Sequence, residues 1–284
     1  MDGLLLATKI QEACQETTQS LLKTLQTLGY WVSAKKAQLC QPKVTYLGYI
    51  IKKGNRALAP SRMQAVLQIP TPTTKLEVRE FLRAVGYCKL WVLGFAEIAK
   101  PLYACTEGIQ PLTWTKTEQR AFDELKSALT TAPALALPNI SKPFWLFVHE
   151  KQGVAKGALT QTLGPSSRPV AYVSKRLDPI ASGWPTCLRA VAAMALLVKE
   201  ADKLTLGQEL NLVAPNAVES LLRGAPGKWM SNVHIVQYQA LLLDQPRIKF
   251  LKTTVLNPAT LLPDSELEKP VHDCQQTMDV LHAA

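Results

Sequence analysis

The sequence predicts a multidomain chain in which an α+β N-terminal part, a helical middle and an α/β C-terminal part follow one another. Three features of the residue pattern predict it. The stretch Ile69-Pro70-Thr71-Pro72-Thr73-Thr74 breaks helices and stiffens the chain, marking a first boundary. Pro133 to Pro143 marks a second. Beyond it, helical spacing gives way to short apolar runs rich in β-branched and aromatic residues.

Taken in order, Leu4–Ala7 is expected as a short strand. Ile10 to Leu28 carries apolar residues at helical spacing and ends at Gly29, a C-cap residue. Val44–Ile51 is expected as one strand, which Lys52-Lys53-Gly54-Asn55-Arg56 turns back onto Ala57-Leu58 as a hairpin. Three helical patterns follow. The first, Lys75–Tyr87, groups Leu76, Val78, Phe81, Leu82 and Val85 on one side; the second lies around Glu97–Ala104. The third is Thr117–Thr130, with Thr117 as N-cap and Arg120, Glu124 and Lys126 facing water. The C-terminal part is expected as strands Phe144–His149, Val154–Leu163 and Pro169–Val173, helix Thr186–Ala201, strand Glu209–Val213 and helix Ala217–Leu222. A helix Val233–Leu243 and a strand Ile248–Lys252 complete it. Three antiparallel strands, a long helix, a strand and a helix are the order of a ribonuclease-H-like α/β fold. From Pro263 onward the chain is polar and Glu-rich, and is expected to be loose.

Composition narrows the function. Apolar residues make up 47% of the 284, enough for real cores and too many for disorder. No apolar run reaches the roughly 18–20 residues of a membrane span. No basic segment precedes Leu4–Ala7, so a secretory leader is not expected and the chain is placed inside the cell. Cys14, Cys40, Cys88, Cys105, Cys187 and Cys274 lack metal-ligand spacing and fit thiols of a reducing compartment. The net charge of +10 is the compositional fact that points to a partner, a polyanion. Without a basic amphipathic helix to suit a membrane, nucleic acid leads. The charge is spread along the chain, as suits a protein tracking a phosphate backbone.

Many short motifs in a single order resemble gammaretroviral reverse transcriptase of the murine-leukaemia type. Among them are Ser33-Ala34-Lys35-Lys36-Ala37-Gln38, Tyr46-Leu47-Gly48-Tyr49 and Arg79-Glu80-Phe81-Leu82. Phe147-Val148-His149-Glu150-Lys151-Gln152-Gly153, Tyr238-Gln239-Ala240-Leu241-Leu242-Leu243-Asp244 and Asn257-Pro258-Ala259-Thr260-Leu261-Leu262-Pro263 continue it. The resemblance implies a partial palm with a primer-grip hairpin over 1–68, a helical thumb over 70–135, and a ribonuclease-H-like connection domain over 140–263. A loose tail follows over 264–284. It also implies that fingers, the first half of the palm and the terminal ribonuclease H domain are missing, as in an endogenous, decayed copy.

The implied site residues follow. Met1-Asp2-Gly3-Leu4-Leu5-Leu6-Ala7 resembles the second half of the polymerase catalytic hairpin, with Asp2 as a remnant catalytic carboxylate and Gly3 where the family has a second Asp. A two-metal transferase needs clustered carboxylates to hold its ions, so no metal site and no cofactor is expected here, although the intact family uses magnesium. The primer grip implies nucleic-acid contacts from Tyr46, Gly48 and Tyr49. Tyr46 and Tyr49, three apart on one strand, would point to opposite faces, so at most one would face nucleic acid. On the thumb helix Lys75, Arg79 and Arg83 fall at i, i+4 and i+8 and, with Lys89, form a basic stripe suited to phosphates. An ordinary solvated face stays open, because Glu77 and Glu80 are interleaved. In the connection domain the family's nuclease carboxylate positions fall at His149, Val191 and Pro215; Glu150 adjoins the first but points the other way. That domain is expected to be a spacer with a basic surface including Lys156, Lys175 and Arg176. Three functions stay open: a remnant binding RNA–DNA hybrid or duplex non-specifically, a part completing an active polymerase with another chain, and a protein-interaction module.

Overall fold

A type I′ turn at Leu47-Gly48 divides what the residue pattern presents as one strand. In the computed structural model, which describes residues 3–164, 166–213, 218–224, 230–251 and 258–259, helix α1 (Gln11–Thr27) leads to β1 (Lys43–Tyr46), β2 (Tyr49–Lys52) and β3 (Asn55–Leu58). Leu47 and Gly48 have φ of 49° and 78°, and Lys53 and Gly54 have 48° and 74°. Positive φ at both central residues defines the two-residue hairpin turn that matches strand twist. The expected single strand Val44–Ile51 is therefore two strands, because alternation of apolar residues does not register a two-residue reversal. The expected turn 52–56 is confined to Lys53-Gly54, and Asn55 and Arg56 belong to β3.

Leu4–Ala7 is not a strand. It has no ladder partner among the described residues, and Leu4 is 66% exposed. Helix α1 forms as expected but buries no side chain; Tyr30, Trp31 and Val32 beyond it are exposed too. Asp2, Pro215 and the tail 264–284 lie outside the described residues, as do Ala217 and Lys252 at the ends of two expected elements.

The middle of the chain is helical: α2 (Pro60–Leu67), α3 (Lys75–Gly86), α4 (Phe95–Ile98), α5 (Lys100–Ala104) and α6 (Lys116–Thr130), with a 3-10 turn at Lys89–Trp91. The helix expected around 97–104 is two, α4 and α5, with Pro101 in the first turn of the second. Helix α6 is capped by Thr115, not Thr117, through a capping box with Glu118. Lys126 does not face water: its ammonium donates to the carbonyls of Leu67 (3.0 Å) and Ile69 (2.5 Å) and lies over Phe122. Leu76 is 60% exposed, whereas Val78, Phe81, Leu82 and Val85 are buried. These pack with Trp91, Phe122, Leu125 and Leu135, and Leu58 and Val66 join the same core across the proline-rich stretch. The second proline-flanked stretch holds β4 (Leu135–Ala136), which pairs antiparallel with β3.

The C-terminal part is built as its residue pattern requires. Strands β5 (Phe144–Lys151), β6 (Val154–Leu163), β7 (Ser166–Arg176), β8 (Leu210–Val213) and β9 (Ile248–Phe250) form one mixed sheet in the order β7-β6-β5-β8-β9. The pairs β5/β8 and β8/β9 are parallel, the others antiparallel. Helices α7 (Pro179–Ser182), α8 (Thr186–Thr205), α9 (Val218–Arg223) and α10 (Asn232–Leu242) accompany it. Helix α8 is apolar on most sides and forms the centre of the core with Phe144, Leu146 and Val148. No helix among the described residues is long and apolar enough to cross a membrane.

The sheet is fastened to the parts before it by polar contacts. Lys156, expected on a basic surface, is 5% exposed and ion-paired to Glu97 at 2.5 Å. The Ala96 amide donates to the Ser174 hydroxyl (2.9 Å), and Arg56 donates to the Val170 carbonyl (2.9 Å). Lys175 pairs with Glu200 at 3.4 Å, which leaves Arg176 as the exposed member of the expected trio.

Candidate nucleic-acid interface

Tyr46 and Tyr49 face one another across the β1–β2 turn as register partners, so the expectation that they occupy opposite faces of a strand does not hold. The two-residue turn Leu47-Gly48 reverses the chain between them. Their side chains nevertheless have different partners. The Tyr46 hydroxyl donates to the Gly3 carbonyl at 2.9 Å. Tyr49 is stacked between Tyr87 (ring centroids 5.3 Å apart, planes at 10°) and Trp91 (4.9 Å, 19°). The Arg62 guanidinium lies 4.0 Å over Tyr87, and that of Arg56 lies 5.2 Å over Trp91. The result is a run Arg62–Tyr87–Tyr49–Trp91–Arg56, in which stacked rings are closed at each end by a cation on a π face. Burial, and then the hydrogen bond with Tyr87, push the Tyr49 phenol well above its ordinary value, and burial lowers that of Arg56.

Gly48 is required by this arrangement as well as by the turn. A Cβ at that position would stand 2.3 Å from Arg62 Nε, so a larger residue would displace the guanidinium from Tyr87. The Tyr87 hydroxyl in turn donates to the Leu47 carbonyl at 2.9 Å. The hairpin turn and the C-terminal end of α3 are thereby one unit. Arg56, Arg62, Tyr87 and Trp91 escape sequence reasoning because no local spacing connects them.

Helix α3 presents the basic stripe. Its N-terminus is capped by Thr74, and Glu77 accepts from the Thr73 amide (2.7 Å) and hydroxyl (3.0 Å), which holds the Glu77 carboxyl below its ordinary value. Lys75 donates to the carbonyls of Glu107 (2.8 Å) and Gly108 (3.2 Å), and Arg79 to that of Thr106 (2.9 Å). These two cations hold the loop after α5. The side chains of Arg83 and Lys89 are exposed and, among the described residues, make no hydrogen bond or ion pair. They flank Tyr87, the residue bonded to the hairpin turn.

In the C-terminal sheet, His149 lies on β5 opposite Lys156, and Val191 is fully buried on α8. The carboxylate turned toward α8 is Glu150, whose side chain is 2% exposed. Its Oε1 accepts from Arg189 Nε (3.1 Å) and from the Gly153 amide (2.7 Å). These residues do not fit magnesium. A guanidinium occupies the carboxylate that a hard cation would need, and an aliphatic side chain stands two residues along α8. Among the described residues no group of three His, Cys, Asp or Glu is placed to hold a metal ion.

A family model described as the RNase H-like domain found in reverse transcriptase matches residues 114–212. The Gag-Pol polyprotein of Avian reticuloendotheliosis virus is 59% identical over 282 residues, 99% of this chain and 24% of that protein. The Gag-Pol polyprotein of Gibbon ape leukemia virus is 55% identical over 278 residues, 98% of this chain and 16% of that protein. The Pol polyprotein of Feline endogenous virus ECE1 is 55% identical over 282 residues, 99% of this chain and 27% of that protein. The chain thus spans between 16% and 27% of the length of these curated relatives. The foamy viral protease-reverse transcriptase in complex with RNA/DNA hybrid has the same fold, with a TM-score of 0.79 at 23% identity, covering 94% of this chain and 37% of that one. A foamy viral protease-reverse transcriptase in complex with ds DNA gives 0.78 at 23% identity, covering 91% and 45%. The chain carries the ribonuclease-H-like domain found in retroviral reverse transcriptases. Over nearly its whole length the chain is similar to a segment of gammaretroviral Gag-Pol and Pol polyproteins.

Proposed function

We propose that residues 1–68 are the C-terminal part of a reverse-transcriptase palm, 70–135 its helical thumb and 140–263 a connection domain, and that the chain binds RNA–DNA hybrid or duplex nucleic acid without reading sequence. The observation that carries this reading is the Tyr87–Leu47 hydrogen bond, which joins the β1–β2 turn to the helix end bearing two uncommitted cations. Arg83 and Lys89 supply phosphate contacts, and the turn with Tyr46, Gly48 and Tyr49 lies beside the sugar-phosphate edge. Lys75 and Arg79 fix the neighbouring loop and add charge to the same helix. The net charge of +10 supports the reading, as do the nucleic acids present in the two foamy viral complexes. The chain does no chemistry of its own: Asp2 stands beside Gly3 in place of a second carboxylate, and Arg189 neutralises Glu150.

The test is fluorescence anisotropy of a labelled hybrid and duplex across a salt series. Neutralising three to four phosphates gives a slope of log K against log salt of about −3 to −4, with affinity in the non-specific range of about 10⁻⁴ to 10⁻⁶ M. Arg83→Ala with Lys89→Ala flattens the slope by about two units and leaves sequence preference unchanged. Salt-independent binding, or an unchanged slope in the folded double variant, would overturn the reading in favour of a protein-interaction surface. Given primed RNA, magnesium and deoxynucleotides, the chain extends nothing. Extension abolished by Asp2→Asn would refute the inactive assignment.

A further inference from the structure

Helix α1 is poorly anchored: none of its residues is buried, and the hydroxyls of Thr17, Thr24 and Thr27 bond back onto its own carbonyls. Its partly shielded residues include Cys14, Thr18, Leu21 and Leu25, spaced i, i+4, i+7 and i+11 and therefore on one face. Cys40, in the segment entering β1, meets that face. Its sulfur lies 3.9 Å from the Thr18 hydroxyl, one helical turn from Cys14, and the Cys14 thiol is near enough to help raise the Cys40 pKa. Both thiols are free and only partly covered, whereas Cys88 and Cys187 are buried. Cys105 is partly covered too, but its thiol donates to the Leu102 carbonyl.

We propose that Cys14 and Cys40 are a redox-sensitive pair that closes to an intrachain disulfide, stapling α1 to the segment that leads into β1. The oxidant is a small-molecule disulfide such as oxidised glutathione. A cysteine thiolate attacks one of its sulfurs and expels the first glutathione thiolate, giving a mixed disulfide. The second cysteine thiolate then attacks the protein sulfur, forms the Sγ–Sγ bond and expels the second glutathione thiolate. The protein loses two protons and two electrons, and one disulfide becomes two thiols. Thiolate is the attacking species, and the Cys40 thiol is held above its ordinary value, first by the Cys14 hydrogen bond. Closure should therefore speed up as pH rises. The link closes a loop containing most of α1 and the 3-10 turn Ala34–Lys36, which restricts the unfolded chain.

The full chain is treated with oxidised glutathione, alkylated with iodoacetamide after denaturation, digested and weighed. A peptide pair joining Cys14 to Cys40, two hydrogens lighter than the reduced peptides, is expected, with the other four of the six cysteines alkylated. Amide exchange over residues 11–27 slows about tenfold or more in the oxidised form. Cys14→Ser and Cys40→Ser each abolish both effects, and Cys105→Ser abolishes neither. Alkylation of both residues after oxidation, glutathione retained on either without a link, a link to a different cysteine, or a link that leaves exchange unchanged would each overturn the proposal.

Discussion

Arg189→Met should destabilise the C-terminal domain by about 3 kcal/mol. The Glu150 side chain is 2% exposed, its Oε1 has two donors and its Oε2 has none. Without the guanidinium, a buried anion would keep only the Gly153 amide. Breaking a buried pair by removing one partner costs roughly 3–5 kcal/mol; the lower end applies because the Arg189 side chain is 24% exposed and water can enter in its place. Arg189 also donates to the Trp184 carbonyl and the Thr186 hydroxyl, both at 3.3 Å, which adds a smaller loss. In urea, with a slope of about 1–3 kcal/mol/M, the midpoint followed by tryptophan fluorescence falls by about 1–3 M. Glu150→Gln combined with Arg189→Met should recover most of this, because no charge is then left buried. Magnesium at about 10 mM should leave the wild-type midpoint in place, whereas a ligand of the native state would raise it by mass action. A midpoint shift under about 0.3 M for Arg189→Met, additivity in the double variant, or stabilisation by magnesium would refute the assignment of Glu150–Arg189 as a neutral structural pair.

Gly48→Ala should cost about 2–3 kcal/mol, combining left-handed backbone strain with loss of the Arg62–Tyr87 contact; a loss under about 0.5 kcal/mol in urea unfolding would show that the turn tolerates a side chain. Lys75→Met and Arg79→Met should speed amide exchange in residues 104–108 while changing the salt slope of hybrid binding less than Arg83→Ala does. The opposite ranking would assign the first two to phosphate contact. Glu77 and Glu118 are both held below the ordinary carboxyl value, by hydrogen bonds from Thr73 and from Thr115 respectively. Their stabilisation is complete above that value and is lost as pH falls through the folded-state pKa. The melting-temperature difference between wild type and Glu77→Gln or Glu118→Gln should be constant near neutral pH and shrink below about pH 4. A difference independent of pH would exclude ionised caps.

The residue pattern by itself determined the helices α3, α6 and α8 and the succession of strands and helices in the C-terminal part, because periodicity and β-branched composition are local properties. It also determined the gammaretroviral kinship, carried by many short motifs in one order. It could not place a two-residue reversal at Leu47-Gly48, since apolar alternation runs through such a turn unbroken. The position of Thr115 as cap of α6 depended on where the helix started, which several threonines permit. Leu4–Ala7 has a strand's composition but no ladder partner in the described fold, and a strand exists only by pairing. Lys156 has the sequence character of a surface cation, yet Glu97, 59 residues away, makes its burial tolerable. The ring stack and the division of the basic stripe into loop-holding and uncommitted cations arise in the same way. Each depends on which groups meet across long chain separations, and that is decided by packing two cores against one another, not by the spacing of residues along the chain.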